Sequence, residues 1–255
     1  MENIVYNNSR VGIWLGGRGS TVIGNVANNN HVGMILSQMN NEIISGNIAN
    51  NNTDVGIYLY QCDRNNISGN TAEYNDNGIS LDVSDHNTIS GNTLTNNSGA
   101  GIFLVTICYY NVILENNINN NWGYPLRIYG SRYNIIYFNN FKNHNRNASS
   151  LVSSNYWNSE KKIVYTYNGN NFTNYLGNYW DDYTGIDADN DGIGDTPYLI
   201  QEEIDNYPLM EPFENYIIIK IATPSRERIP GYNLFFVLAT LSVVSVILGK
   251  KVRNL

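Results

Sequence analysis

The chain has 255 residues, only 15% of which are charged, with a formal net charge of −7 and a sequence pI of about 4.9. An acidic chain without a basic stripe is unsuited to binding nucleic acid, so we expect no nucleic-acid partner. The length allows one sizeable repeat domain with appendages.

One phrase recurs six times between Val22 and Ile136: a β-branched residue, a two-residue spacer and an asparagine. Its asparagines follow one another at intervals of 22 to 24 residues and are Asn25, Asn47, Asn70, Asn92, Asn116 and Asn139. A fixed period of this length indicates a repeat protein, in which each unit buries its apolar face only against its neighbours.

Four apolar columns accompany the asparagines. Two of them form Gly-Ile-x-Leu units, as in residues 56–59 and 78–81, and apolar residues two apart are typical of strands. Asn-rich segments such as residues 28–30, 50–52 and 119–121 suit turns, whereas a leucine-rich repeat needs a helical return leg. We therefore predict an all-β fold, a right-handed parallel β-helix of about 22–23 residues per coil, over residues 1–183.

Stacked coils explain the abundance of asparagine. Coils about 4.8 Å apart place identical amides above one another, where they can form hydrogen bonds along the stack. Asparagine also tolerates the left-handed backbone of tight corners. Cys62 and Cys108 fall two coils apart, roughly 9.6 Å along the stack, which is too far for a disulfide, so we predict two free thiols.

The phase of the repeat changes after Asn139. The triplet Asn-Tyr-Trp then occurs at residues 155–157 and 178–180, which are 23 residues apart. We interpret these triplets as the last coils, with a bulkier aromatic filling.

Residues 184–213 are predicted to form an acidic calcium-type loop and an end cap. Carboxylates alternate along the loop, with glycine at its sixth position, as in the first half of a calcium-binding loop. An EF-hand would need a bidentate Glu at the twelfth position, where this chain has Tyr198. We expect a structural calcium ion here, bound by the four carboxylates Asp187, Asp189, Asp191 and Asp195.

The C-terminus predicts attachment to a membrane. After a linker at residues 214–231, the apolar segment 232–249 is long enough for a transmembrane helix. The basic tail at residues 250–255 predicts a cytoplasmic C-terminus, with the repeats outside the cell membrane. The first residues lack a signal peptide and begin within a coil, so we expect an upstream part of a longer protein.

The repeats resemble those of the NosD-type right-handed β-helices, a group that includes carbohydrate-binding and sugar-hydrolase proteins. Residues 174–185, 187–198 and 205–210 are similar to the end motif of archaeal surface proteins in this family. The resemblance covers roughly residues 1–213. Residues Pro230, Gly231 and Tyr232 resemble the Pro-Gly-Phe sorting signal of such proteins, with Tyr in place of Phe, and imply possible processing there.

The resemblance leaves three functional alternatives. The NosD name implies copper handling, but the three His, two Cys and four Met show no ligand spacing. The resemblance also implies a polysaccharide-active enzyme (hydrolase, lyase or epimerase), whose site would use paired Asp residues, or Asp with Arg or Lys, along one face. The local candidates for such an enzyme are Asp82, Asp85 and His86, with Asp63 and Arg64 one coil earlier, and a faint pectinase echo at residues 127–129.

The third alternative is a non-catalytic, membrane-anchored surface module that binds glycans or is part of the cell envelope. Aromatic rings and amides on flat strand faces suit stacking on sugars. Strand alternation predicts that seven tyrosines point outward: Tyr58, Tyr60, Tyr109, Tyr110, Tyr129, Tyr133 and Tyr137. We favour this alternative, with no catalytic residues.

Overall fold

A computed structural model describes residues 2–17, 19 and 21–221. Nearly all regular structure in these residues is extended. In chain order the strands are β1 (Ile4–Tyr6), β2 (Val11–Gly16), β3 (Val22–Ile23), β4 (Val26–Asn28), β5 (Val32–Ser37), β6 (Ile43–Ser45), β7 (Val55–Tyr60), β8 (Asn66–Ser68), β9 (Thr71–Glu73), β10 (Asn77–Asp82), β11 (Thr88–Ser90), β12 (Thr93–Thr95), β13 (Ala100–Leu104), β14 (Val112–Leu114), β15 (Asn117–Asn119), β16 (Tyr124–Tyr129), β17 (Arg132–Tyr137), β18 (Asn140–Lys142), β19 (Ser149–Leu151), β20 (Ser154–Tyr156), β21 (Ile163–Tyr167), β22 (Asn170–Asn174), β23 (Tyr179–Trp180), β24 (Tyr198–Ile200), β25 (Glu203–Asp205) and β26 (Ile217–Ile221), with a 3₁₀ turn at Phe213–Asn215.

The strands stack into three parallel sheets. Sheet 1 has the order β2-β5-β7-β10-β13-β16-β19, sheet 2 the order β3-β6-β8-β11-β14-β17-β20, and sheet 3 the order β9-β12-β15-β18-β23. Each strand therefore pairs with its equivalent in the next coil. The predicted all-β parallel β-helix is confirmed, as a solenoid of the right-handed type with about seven coils.

The core is filled by the predicted apolar columns. In sheet 1, Met34, Ile57, Ile79, Ile102 and Leu126 are in register from strand to strand, and each is fully buried. Burying each such side chain contributes about 1.5–3 kcal/mol, so the stacked columns are the main source of stability.

Most corners of a coil share one feature. A residue with left-handed backbone is followed by a residue whose side chain points into the coil, and this inward side chain is usually polar. Gly24, with φ 66, precedes Asn25, and Asn51, with φ 56, precedes the buried Asn52. The ladder asparagines thus do not themselves adopt the left-handed conformation. The residue before them does, which explains why Gly or Asn so often occupies that position.

The inward asparagines form three ladders of amide hydrogen bonds. In the first ladder, Nδ2 of each residue donates to Oδ1 of the next at 2.9–3.0 Å, and the backbone N–H usually donates to the same oxygen. The first ladder continues beyond the predicted column and contains Asn3, Asn25, Asn47, Asn70, Asn92, Asn116, Asn139 and Asn178. The second includes Asn52, Asn75, Asn97 and Asn121, and the third includes Asn65, Asn87, Asn111, Asn134 and Asn155.

The glycine of the Gly-Ile-x-Leu unit makes room for the second ladder. A Cβ atom on Gly78 would lie 2.6 Å from the carbonyl oxygen of Gly101 and 3.1 Å from Nδ2 of Asn97. Gly56 meets the equivalent atoms of Gly78 and Asn75 at 2.7 and 2.9 Å. These glycines are therefore required by close packing, since their φ angles are not positive.

The last coil contains both Asn-Tyr-Trp triplets, at different corners. Asn155 continues the third ladder, whereas Asn178 continues the first, 39 residues after Asn139. The interval is long because the hairpin β21–β22 is inserted between the two triplets. The triplets are therefore not successive coils. Trp157 and Trp180 are buried and fill the end of the core, as the predicted aromatic filling requires.

Strand β25 closes the solenoid with two carboxylates. Oε1 of Glu203 accepts a hydrogen bond from the backbone N of Asn155 at 2.8 Å. Oδ2 of Asp205 accepts from the backbone N of Asn178 at 2.8 Å and from Nε1 of Trp180 at 3.0 Å. Because the ladders end in unpaired N–H donors, an acceptor-only group is the natural terminator.

Part of the predicted linker at residues 214–231 is regular structure, because β26 pairs antiparallel with β21. The predicted transmembrane segment 232–249, the basic tail 250–255 and residues 230–232 lie outside the described residues. Within the described part of the chain, the structure has no helix with the length and hydrophobicity for a membrane crossing.

Candidate functional site

The acidic loop brings three of its four predicted ligands together. Carboxylate oxygens of Asp187, Asp189 and Asp191 lie within 4.8 Å of one another. Asp195 is not part of this cluster. Its Oδ2 accepts a hydrogen bond from the backbone N of Ala188 at 2.8 Å and so closes the base of the loop.

The three clustered carboxylates differ in their surroundings. Asp187 accepts hydrogen bonds from the backbone N of Asp191 at 3.1 Å and of Gly192 at 2.8 Å, while the side chain of Asp189 is exposed. Burial raises the pKa of Asp191, and a hydrogen bond from Asn174 opposes that shift. An all-oxygen set on a sharply bent loop fits a hard cation such as Ca²⁺.

The candidate catalytic carboxylates Asp63 and Asp85 hold a corner column together. Oδ1 of Asp63 accepts from the backbone N of Asp85 at 2.9 Å, and Oδ1 of Asp85 accepts from the backbone N of Tyr109 at 2.7 Å. Asn40 does the same for the backbone N of Asp63 at 2.7 Å. Burial raises the pKa of Asp85. A structural role therefore accounts for both carboxylates.

The other catalytic candidates are also engaged by neighbouring coils. Oδ2 of Asp82 accepts a hydrogen bond from the Tyr58 hydroxyl at 3.0 Å. His86 stacks on Tyr110, with ring centroids 5.1 Å apart, and Tyr110 stacks on Tyr133 at 5.2 Å. Arg64 has left-handed backbone, as His86 does. The side chains of Asp82 and His86 thus contact side chains of neighbouring coils.

The residues present do not fit a copper site. Cys62 and Cys108 are buried and free, as predicted. Burial raises the pKa of both thiols, that of Cys108 to about 12, so neither supplies a thiolate near neutral pH. Among the described residues, only the acidic loop gathers three His, Cys or carboxylate ligands, and copper prefers softer donors.

A groove of about 360 Å³ lies beside sheet 1, where strands β10, β13 and β16 begin. Its wall comes from four successive coils, so it runs roughly 14 Å along the axis at the coil spacing of parallel strands. Its walls combine aromatic, cationic and acidic side chains, namely Asp76, Phe103, Trp122, Tyr124, Arg127 and Arg146.

The aromatic and cationic side chains of the groove contact one another. The guanidinium carbon of Arg127 lies 4.8 Å from the ring centroid of Phe103 and 5.7 Å from that of Tyr124. Arg146 lies 5.3 Å from the same Tyr124 ring, and its Nη1 donates to the Tyr124 hydroxyl at 3.0 Å. Trp122 is 74% exposed, which leaves its indole available to a ligand.

Two glycines allow the coils to pack closely at the groove. A Cβ atom on Gly123 would collide with the carbonyl oxygen of Gly99 in the coil below. The turn that carries Trp122 therefore packs directly on Gly99, and both glycines line the groove.

The sequence patterns predict little of this site. Arg127 belongs to the faint pectinase echo at residues 127–129, and Trp122, Tyr124 and Arg146 belong to none of the predicted sites. One usable signal was present: Trp122 directly follows the Asn-rich turn at residues 119–121, where a buried core residue is not expected.

The predicted outward tyrosines are mostly accessible. Tyr60, Tyr110, Tyr129 and Tyr133 are between 38% and 48% exposed. Tyr137 instead packs against the apolar cluster beneath the hairpin β21–β22, and burial raises its pKa.

The chain is similar to one protein family and to solved structures of other proteins. The family profile described as "Periplasmic copper-binding protein (NosD)" matches residues 1–109 and 97–185. A double mutant of the periplasmic alginate epimerase AlgG is similar at 24% identity and a TM-score of 0.51, over 52% of this chain and 33% of that one. Full-length tailspike protein 2 of an Escherichia coli O157:H7 bacteriophage is similar at 18% identity and a TM-score of 0.47, over 54% and 20%.

This chain thus spans about one third of the epimerase, and the likeness shows the fold alone. No curated protein sequence matched the chain. The two profile matches together cover most of the described solenoid, with its stacked asparagines and glycines. The chain therefore belongs to the NosD family of right-handed parallel β-helix proteins.

Proposed function

We propose that this chain is a non-catalytic carbohydrate-binding module of the cell envelope. The groove beside sheet 1 is the binding site, and the exposed indole of Trp122 is the observation that carries the proposal. In this account, segment 232–249 anchors the chain to the cell membrane with the coils outside. The sorting-type residues 230–232 mark where processing would occur.

The groove has the chemistry that sugar binding needs. An aromatic face stacks on the apolar C–H face of a sugar ring, while hydroxyl and guanidinium groups at its edge bind sugar hydroxyls. Trp122 supplies the exposed face, and Ser98, Tyr124 and Arg127 supply polar atoms around it. Other members of the same fold act on polysaccharide, as the name of the alginate epimerase states, which supports the proposal by analogy only.

Binding is favoured over hydrolysis by the number of carboxylates. General acid–base cleavage of a glycosidic bond uses two facing carboxyl groups. Among the described residues that line the groove, Asp76 is the sole carboxylate, and both its oxygens accept hydrogen bonds from Ser98 and Asn77. The enzyme alternative predicts release of reducing sugars or unsaturated products, and our proposal predicts none.

Replacing Trp122 tests the site. We expect Trp122→Ala to weaken binding of envelope oligosaccharides at least about tenfold, since a stacked ring contributes about 1.5 kcal/mol. Trp14 is a matched control, because it is 72% exposed on the same sheet but does not line the groove. Isothermal titration of the full chain measures both variants. Equal losses for Trp14→Ala and Trp122→Ala, or no loss in either, would contradict the proposal.

We also propose that the acidic loop holds a structural calcium ion, with Asp187, Asp189 and Asp191 as its carboxylate ligands. Asp189→Asn tests the calcium site most cleanly. The side chain of Asp189 is exposed, whereas Asp187 and Asp191 also accept backbone hydrogen bonds that hold the turn. We expect calcium to raise the melting temperature of the wild type by several degrees and that of Asp189→Asn much less. Calorimetric titration checks binding directly. If the melting temperature is the same with calcium and with chelator, the proposal of a structural calcium ion would be contradicted.

A further inference from the structure

The two arginines of the groove lack carboxylate partners. Among the described side chains, the contact between His31 and Asp54 is the single ion pair within 4.0 Å. Arg127 and Arg146 instead face the ring of Tyr124, at 5.7 and 5.3 Å from its centroid. Two like charges thus share one aromatic ring without an anion between them.

This arrangement is unusual for the chain. The protein has 15 Lys and Arg against 22 Asp and Glu, yet the groove collects two arginines and one aspartate. The two oxygens of Asp76 accept hydrogen bonds from Ser98 at 3.0 Å and from Asn77 at 2.9 Å. Asp76 is therefore satisfied by Asn77 and by Ser98 of the next coil, and it forms no ion pair with either arginine.

The geometry of arginine selects the chemistry of that ligand. A guanidinium presents N–H donors in a planar fork that matches a carboxylate in a bidentate manner. Stacking on Phe103 and Tyr124 holds the Arg127 fork in place and lowers the entropy lost on binding. Trp122 stands on the same groove and offers its face to the sugar ring that carries the acid.

We infer that the groove selects an acidic polysaccharide and that Arg127 and Arg146 bind the carboxylate of a uronic acid residue. This inference rests on the proposed carbohydrate-binding function and adds the charge class of the glycan. Both arginines contact Tyr124, so this tyrosine holds the two guanidinium groups close together on one wall of the groove.

The test uses one oligosaccharide in two forms, a uronic acid tetrasaccharide and its carboxyl-reduced, neutral counterpart. Titration calorimetry of the full chain should show at least about tenfold tighter binding of the acidic form, which weakens as salt is raised. Arg127→Gln and Arg146→Gln should each reduce this preference severalfold, because each variant weakens binding of the acidic form more than binding of the neutral form. Arg132→Gln, an exposed arginine outside the groove, should leave both affinities unchanged.

The outcomes separate the two proposals. If the wild type binds both forms with equal affinity and Trp122→Ala weakens binding of both, the acidic selectivity would be overturned and the carbohydrate-binding function would stand. If the chain binds neither form of the tetrasaccharide nor any other neutral oligosaccharide, both the carbohydrate-binding function and the acidic selectivity would be overturned. A sulfated tetrasaccharide without uronic acid residues that binds as tightly as the uronate would overturn the assignment of a carboxylate. Near-ultraviolet circular dichroism of each variant confirms that it is folded.

Discussion

At the scale of single residues, the inward asparagines are the best-defined elements of the fold. The amide of Asn92 donates to Oδ1 of Asn116 at 2.9 Å and to the carbonyl oxygen of Ile67 at 3.0 Å. Its own Oδ1 accepts from the backbone N and Nδ2 of Asn70. Asparagine is well suited to this position because a single short side chain both donates and accepts.

We predict that Asn92→Ala destabilises the protein by about 3 kcal/mol or more, because it leaves several buried polar groups of Asn70, Asn116 and Ile67 without a partner. Asn145→Ala is the control, since Asn145 is exposed and should change stability by no more than about 0.5 kcal/mol. Urea unfolding measures both. Comparable losses in the two variants would show that the ladder is not a special source of stability.

At the scale of elements, the second ladder has one exception. His144 follows Asn143, which has left-handed backbone, and takes the position of the next inward asparagine after Asn121. Its Nε2 contacts the carbonyl oxygen of Ile118 at 3.1 Å, as Nδ2 of Asn121 contacts that of Leu94 at 3.0 Å. Its Nδ1 is buried without a hydrogen bond.

Burial lowers the pKa of His144 to about 4, against 6.5 in an unfolded chain, although nearby Asp181 and Asp182 oppose the shift. The unfolded chain therefore takes up a proton below pH 6.5 while the native imidazole stays neutral. The free energy of unfolding is therefore highest, as far as His144 is concerned, above pH 6.5. It falls by about 2 to 3 kcal/mol as the pH falls from 6.5 to 4.

We predict that His144→Asn abolishes the loss of stability between pH 6.5 and 4 that His144 causes. The variant should also raise the free energy of unfolding at pH 7 by about 1 kcal/mol, because the new amide completes the ladder. Unfolding of wild type and variant at pH 7, 6, 5 and 4 checks this. The difference between them isolates His144, since Asp85, Asp191 and Asp205 have raised pKa values and are common to both. A stability difference that is the same at every pH would contradict the account.

At the scale of the whole molecule, periodicity made the solenoid predictable and left its groove unpredictable. The 22-to-24-residue spacing of the first ladder follows from stacking, so the sequence alone indicates the sheets and the buried columns. Trp122 and Arg146 lie in exposed turns, where repeat-to-repeat variation is tolerated, and Tyr124 is the half-buried first residue of β16. Their proximity depends on coil stacking, which no local pattern reveals.

The C-terminal end shows the same limit. The regular spacing predicts the ladder asparagines up to Asn139. The hairpin inserted between Asn139 and Asn178 lengthens the last coil, so the sequence suggests two coils where the structure has one. Nor could the spacing of residues indicate that Glu203 and Asp205 terminate two ladders, because both lie in an antiparallel hairpin added after the repeat.

The central claim, that a glycan binds beside Trp122, is tested most directly by a crystal structure of the chain with a bound uronic acid oligosaccharide. We predict a sugar ring stacked on the Trp122 indole with its carboxylate within about 3 Å of the Arg127 or Arg146 nitrogens. A sugar bound instead on the exposed stack of His86, Tyr110 and Tyr133, with an empty groove, would contradict the account.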